Sequence, residues 1–215
     1  MIVIVCPGQG AQTPGFFSPW LELPEFKNSI EQMQQASGID LIKHGTESDA
    51  DTIRDTSIAQ PLIVSAGIAT AAALFKNGGT ASSNITGVAG HSVGEFTAAA
   101  GAGVLDATDA VRLVGIRGRA MAEAAAAEAT GMSAVIGGDE TEILEALESR
   151  GLFPANYNGG GQLVVAGPLN GLAALAENPP AGSRVIPLQV AGAFHTSYMA
   201  SAVETLREAA STVNT

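Results

Sequence analysis

The sequence predicts an α/β protein in which a main parallel-sheet layer carries a smaller inserted unit. Three observations predict it. Residues 2 to 6, IVIVC, form the continuous β-branched apolar run expected of a strand covered on both faces of a parallel sheet. Residues 85 to 103, ITGVAGHSVGEFTAAAGAG, read as a short strand, a sharp turn and a helix. Residues 131 to 190 then change rhythm and read strand, helix, strand, strand, helix, strand.

In order, the first strand runs into Pro7-Gly8-Gln9-Gly10-Ala11-Gln12, a loop at the strand end where open α/β sheets place ligands. The loop lacks the Gly-Lys-Ser/Thr of a P-loop and the Gly-x-Gly-x-x-Gly of a dinucleotide site, which sets phosphate cradling aside. Residues 14 to 24 read as loop or short helix around Trp20, and Phe26, Ile30 and Met33 recur at helical spacing up to Ser37. His44 falls in a polar stretch beside Gly45 and reads as a surface loop residue. Thr56 or Ser57 is expected to cap a helix starting near Gln60-Pro61, running to about Lys76 and ending at Gly78-Gly79. Gln60 suits a cap or a loop tie as well as a site. Asp106 opens a helix over ATDAVRLVGIRGRAMAEAA, with Val111, Val114 and Met121 on its apolar face. Arg112, Arg117 and Arg119 share it, and Arg117 stands out because it lies between Ile116 and Gly118, one turn before Met121.

The inserted unit is expected as Met132 to Ile136, a helix over Glu140 to Ser149, Leu152 to Asn158, a turn at Gly159-Gly160-Gly161, Gln162 to Ala166, a helix over Leu169 to Glu177, and Arg184 to Val190. That βαββαβ order is the ferredoxin-like split unit. The expected division is 1–128 with 191–215 for the core and 129–190 for the insertion. The chain re-enters the core through Ala191-Gly192-Ala193-Phe194-His195-Thr196 and a helix over about Ser197 to Ala210.

Composition bounds the function. The 215 residues carry a formal net charge of −11 and only ten Lys and Arg, so no basic stripe exists for a nucleic acid. Neither a basic leader nor an apolar run of about 18 residues unbroken by Gly or polar residues is present, so neither a signal peptide nor a membrane span is expected. The lone Cys6, in an apolar run, reads as a small core residue of a protein kept in a reducing cytoplasm.

The turn Gly90-His91-Ser92-Val93-Gly94 carries the chemistry. A serine at the tip of a strand-to-helix turn is held in strained backbone, and a side chain at either flanking glycine would collide with the crossing segments. Among 26 glycines a chance match is not rare, and the strand before and helix after give this one its meaning. A serine nucleophile needs a base. His91 sits on the same turn, where adjacent side chains diverge, and reads as a loop prop. His195 follows the last expected strand and is the natural proton acceptor. The backbone N–H groups of Val93 and Gln9 are the two candidate oxyanion donors. No acid stands out in the order serine, acid, histidine, so a Ser-His dyad is expected.

Taken together, Gly8-Gln9-Gly10-Ala11-Gln12, Gln60-Pro61, Gly90-His91-Ser92-Val93-Gly94-Glu95, Arg117-Gly118 with Met121, and Gly192-Ala193-Phe194-His195 resemble the malonyl-CoA:acyl carrier protein transacylases, over essentially the whole chain and in matching order. The resemblance implies an α/β-hydrolase-like domain with a ferredoxin-like subdomain. It implies Ser92 as the acylated nucleophile, His195 as general base and acid, and Gln9 and Val93 as the oxyanion hole. Arg117 would hold the malonyl carboxylate, for which a planar guanidinium is the best fork. Gln60, Met121, Phe194 and His91 would line the substrate. Val93 and Phe194 resemble the malonyl-selecting forms of their motifs, a steric distinction worth about 1 to 3 kcal/mol.

Malonyl-CoA and an acyl carrier protein are the implied partners, with no metal and no cofactor, in a cytoplasmic monomer. Family members continue for roughly a further third of the domain. A domain ending at Thr215 is therefore expected to show an exposed sheet edge and uncovered helix faces. Two alternatives share the serine turn: an esterase or thioesterase releasing acyl groups to water, and a non-catalytic fragment that docks a carrier protein.

Overall fold

The computed structural model describes residues 2–75 and 85–213. By internal packing the chain divides into two compact units, Met1–Arg119 with Thr205–Thr215, and Ala120–Glu204.

In the first unit β1 (Ile2–Cys6) pairs in parallel with β2 (Ile85–Gly90). A parallel pair needs a crossover. Here it contains α1 (Pro24–Ser37), α2 (Leu41–Thr46), a 3-10 turn at Thr52–Arg54 and α3 (Thr56–Leu74). After β2 come α4 (Gly94–Gly101) and α5 (Ala107–Ala127). Apolar spacing explains α1: Phe26, Ile30 and Met33 all face inward, and Gly38 ends the helix in left-handed backbone at φ 76°. The core of this unit gathers Phe17, Phe26, Ile30, Met33, Leu41 and Leu62. Phe17 fits only because Gly45 on α2 has no side chain to meet its ring.

Several expectations change here. β1 is not covered on both faces: Val3 is 52% and Val5 71% exposed. Val3 and Val5 alternate onto one face of the strand, which stays open, whereas Cys6 on the other face is 5% exposed. His44 is on α2 and not in a loop, with Nδ1 2.9 Å from Ser48 Oγ. Helix α3 starts at Thr56, earlier than expected, and its cap is Asp55, whose carboxylate accepts the Ser57 N–H at 2.8 Å. Gln60 is thus helical and is not a cap. The expected stop at Gly78-Gly79 lies outside the described residues. α3 is also long and apolar enough to cross a membrane, with 19 residues and a mean hydropathy of 1.6. Its Leu62, Ile63, Val64 and Ala69 are buried in the core of the first unit, and this accounts for its composition.

The second unit holds a four-stranded antiparallel sheet in the order β4-β5-β3-β6. Its strands are β3 (Thr130–Gly137), β4 (Phe153–Gly159), β5 (Gln162–Pro168) and β6 (Ser183–Pro187). Helix α6 (Glu140–Glu148) follows β3, and α7 (Leu169–Glu177) follows β5. Asp139 caps α6 by accepting from Thr141 and Glu142, and Pro154 is tolerated because β4 is an edge strand. Val135, Leu147, Leu163, Val165 and Leu175 form the core between sheet and helices. A 3-10 turn at Ser197–Met199 leads into α8 (Ala200–Ala210).

The boundaries between the units differ from those expected at 128/129 and 190/191. Ala120, Met121 and Ala125, from the later turns of α5, are buried with Met132, Ala166, Ala193 and Phe194. Packing therefore assigns that half of α5, and the chain through Glu204, to the second unit.

Candidate active site

The serine turn is built by close backbone approach. Ser92 has φ 52°, a region non-glycine residues seldom enter, which persists only where the surroundings over-determine it. The surroundings here are explicit. A Cβ on Gly90 would run into the backbone of Gly94 and Glu95, and one on Gly94 would stand 2.6 Å from the Pro7 carbonyl oxygen. The His91 N–H donates to the Cys6 carbonyl at 3.0 Å, and the His91 ring lies against Gly8, where a Cβ would come within 2.7 Å of Nδ1. His91 thus braces the loop after β1 against the serine turn.

That loop is tied on its other side too. Gln9 Nε2 donates to Thr56 Oγ1 at 3.3 Å and to the Arg54 carbonyl at 3.4 Å, and Gln12 Nε2 donates to the Ile53 carbonyl at 2.9 Å. Both glutamine side chains are thus committed to the 3-10 turn and the first residue of α3, while Gly8, next to Gln9 in the chain, lies against His91 of the serine turn. Val93 is the N-cap residue of α4, so its N–H precedes the first intrahelical hydrogen bond and belongs to the donors a helix start leaves for other partners. Its side chain is buried in the core of the unit.

Arg117 reaches this turn because α5 crosses α3 closely. A Cβ on Gly118 would lie 2.9 Å from the Thr56 carbonyl oxygen, so only glycine allows the approach. Arg117 Nη1 donates to Gln60 Oε1 at 2.6 Å, and Nη2 donates to Ser92 Oγ at 3.3 Å. Burial pushes the guanidinium below its ordinary pKa, and the Glu95 carboxylate partly opposes this. An arginine stays protonated throughout the working range regardless. Among the described residues no carboxylate stands within ion-pair distance of it. The neighbouring arginines differ: Arg112 pairs with Asp109 at 2.9 Å, and Arg119 donates to the Ser37 carbonyl at 3.3 Å. Of the three, Arg117 alone is held by a neutral acceptor beside the serine. Gln60, 1% exposed, fixes the orientation of the guanidinium without neutralising it.

The first unit therefore brings Ser92, His91, Val93, Gln9, Gln60 and Arg117 together. Met121, Phe194 and His195 belong to the second. Met121 and Phe194, each 6% exposed, share one buried cluster there. His195 is exposed and follows them in a turn with φ 61°, the one other non-glycine residue with positive φ among those described. Two contributors received no role from the sequence. Glu95 follows the second glycine of the serine turn, a helix start that favours an acid for its own sake. Thr130 binds the chain ahead of His195 through a contact 63 residues distant in sequence, which no local pattern displays.

Comparison with known proteins assigns the class. The acyl transferase domain family model matches residues 3–215, and the chain belongs to that family. Within it the chain is similar to the malonyl CoA-acyl carrier protein transacylases. That of Mycobacterium tuberculosis is 50% identical over 215 residues, all of this chain and 71% of the relative. That of Escherichia coli is 34% identical over 209 residues, covering 94% of this chain and 67% of the relative. The crystal structure of MCAT from Mycobacterium tuberculosis superposes with a TM-score of 0.94 at 50% identity, covering 99% of this chain and 70% of that one. A malonyl-transacylase solved in complex with its type II PKS acyl-carrier protein gives 0.89 at 27% identity, covering 99% and 70%. The chain thus spans about seven tenths of the length of these relatives.

Proposed function

We propose that this protein transfers a malonyl group from malonyl-CoA to the phosphopantetheine thiol of an acyl carrier protein, through a malonyl ester on Ser92. The observation that carries it is the Arg117 guanidinium, 3.3 Å from Ser92 Oγ and oriented by the neutral Gln60. A cation kept charged and without a carboxylate partner at a nucleophile suits an acyl group that brings its own carboxylate.

The steps balance with no added cofactor. His195 takes the Ser92 hydroxyl proton as Oγ attacks the thioester carbonyl, and the Gln9 and Val93 N–H groups receive the negative charge that develops on oxygen. The C–S bond breaks and the CoA sulfur leaves with the proton from His195. In the second half the carrier thiol gives its proton to His195 and attacks the ester, and Ser92 recovers the proton. This reading makes Ser92 and His195 a dyad. Ser92 at φ 52° on the turn before α4, with glycine required on either side, supports a hydrolase-like nucleophile turn for the first unit. The sheet order β4-β5-β3-β6 supports a ferredoxin-like reading of the second.

Val93 is buried in the core of the first unit, and Met121 and Phe194 in a cluster of the second, so a preference for malonyl at these positions rests on the motif resemblance alone. A cytoplasmic monomer is the setting in which we read this chemistry, with Cys6 as a buried free thiol.

An esterase or thioesterase would use the same serine but release the acyl group to water. The test is to load the protein with malonyl-CoA, remove excess substrate, and follow malonate release against transfer to a pantetheine thiol. Transfer is expected to outrun hydrolysis by on the order of 10²-fold or more. Hydrolysis that the thiol does not outcompete would overturn the transferase reading.

A further inference from the structure

The turn that carries His195 is held by two threonine hydroxyls acting on one residue, Ala193, through the peptide groups on either side of it. Thr130, at the start of β3 and 6% exposed, accepts the Ala193 N–H on Oγ1 at 3.0 Å. From the other side Thr196 Oγ1 donates to the Ala193 carbonyl at 2.6 Å. Ala193 is fully buried between them. Gly192 presses against α5, where a Cβ would meet that of Ala125 at 2.6 Å, and the Phe194 N–H turns back onto the Gly192 carbonyl at 3.0 Å. The Thr196 hydroxyl also accepts the Tyr198 N–H at 3.3 Å and so starts the short helix that follows. The chain therefore enters and leaves His195 through fixed points, and His195 between them takes a φ of 61°. A ring-bearing residue is held in that sparsely populated region only by its surroundings.

We propose that Thr130 is a positioning residue for His195: its hydroxyl, by anchoring the Ala193 peptide, sets the backbone conformation that aims the imidazole. The inference rests on the reading of His195 as the base. It explains why a threonine opens an apolar strand, Thr130 to Ile136, at a point where a valine would fill the same volume. A methyl in place of the hydroxyl would leave the buried Ala193 N–H without its acceptor and free the turn to relax toward ordinary backbone.

The test compares Thr130→Val, Thr130→Ser and His195→Ala by the rate of Ser92 acylation at saturating malonyl-CoA, the KM for malonyl-CoA, and the pH profile. Thr130→Val is expected to slow acylation on the order of 10 to 10²-fold, to shift the limb of the profile that reports His195, and to leave KM unchanged. Thr130→Ser, which restores the hydroxyl, is expected to recover the wild-type rate to within about threefold. A folded Thr130→Val with wild-type rate and profile would overturn the proposal, as would a Thr130→Ser as slow as the valine variant. His195→Ala separates the two readings: full activity there removes His195 as the base, whereas its loss beside an unaffected Thr130→Val removes only the positioning role. If Thr130→Val does not fold, hydrogen exchange of the wild-type Ala193 amide decides. Strong protection supports the anchor and rapid exchange overturns it.

Discussion

Replacing Ser92 with alanine is expected to lower malonyl transfer by on the order of 10⁴-fold or more and to abolish the malonyl-protein adduct seen by intact mass. The size follows from the chemistry. Without Oγ no covalent intermediate forms, and what remains is binding and oxyanion stabilisation acting on direct attack by the thiol. The fold should tolerate the change. The turn is imposed by Gly90 and Gly94 against neighbouring backbone, and alanine bears no more strain at φ 52° than serine does. Loss of the Arg117 contact at 3.3 Å removes only one arm of a guanidinium that Gln60 still holds. Measurement of both the adduct and far-UV circular dichroism checks this, and an alanine variant that still becomes malonylated would place the nucleophile elsewhere.

The second large effect concerns Arg117. Its replacement by alanine is expected to reduce kcat/KM for malonyl-CoA on the order of 10²-fold, about 3 kcal/mol, while acetyl-CoA changes by less than about threefold. A charge-assisted pair in a site partly removed from water is worth several times an exposed one, because the competing solvation has already been given up. The burial that lowers the pKa of this arginine is the same desolvation that strengthens its grip on a carboxylate. Gln60 matters for the same reason: a glutamate there would satisfy the cation internally, whereas the amide oxygen at 2.6 Å leaves the charge for a ligand. Equal losses with malonyl-CoA and acetyl-CoA would show instead that Arg117 supports the turn and reads no carboxylate.

Much of the site was legible because its requirements are local. The glycines flanking Ser92 have to be glycines for reasons that a five-residue pattern expresses, and the structure shows the backbone atoms they would strike. The periodicity of Phe26, Ile30 and Met33 likewise encodes a buried face directly. What escaped depends on partners far away in sequence. Whether IVIVC is covered is decided by what packs on it, and Val3 and Val5 prove exposed. Helix α2 is six residues long and carries Gly45, and the Phe17 ring that packs on that glycine is invisible from its own composition. Among the three arginines of α5 the sequence marks Arg117 only by its neighbours Ile116, Gly118 and Met121, and says nothing of what it reaches. Only the crossing at Gly118 separates Arg117, beside Gln60 and Ser92, from Arg112 and Arg119. The boundary between units fell inside α5 because one helix supplies apolar faces to two cores. Thr130 was illegible for a plainer reason: a hydroxyl at a strand start becomes meaningful only when Ala193 arrives to bind it.

The central claim is that a serine and an arginine without an ion-pair partner among the described residues together select an acyl group bearing a carboxylate. A competition tests it most directly. The protein is mixed briefly with equal concentrations of malonyl-CoA and acetyl-CoA, quenched and digested, and the peptide carrying Ser92 is weighed. Malonyl on Ser92, in excess over acetyl by on the order of 10²-fold, is the result the account predicts. Equal labelling of Ser92 by the two groups, or malonyl on another residue, would contradict it.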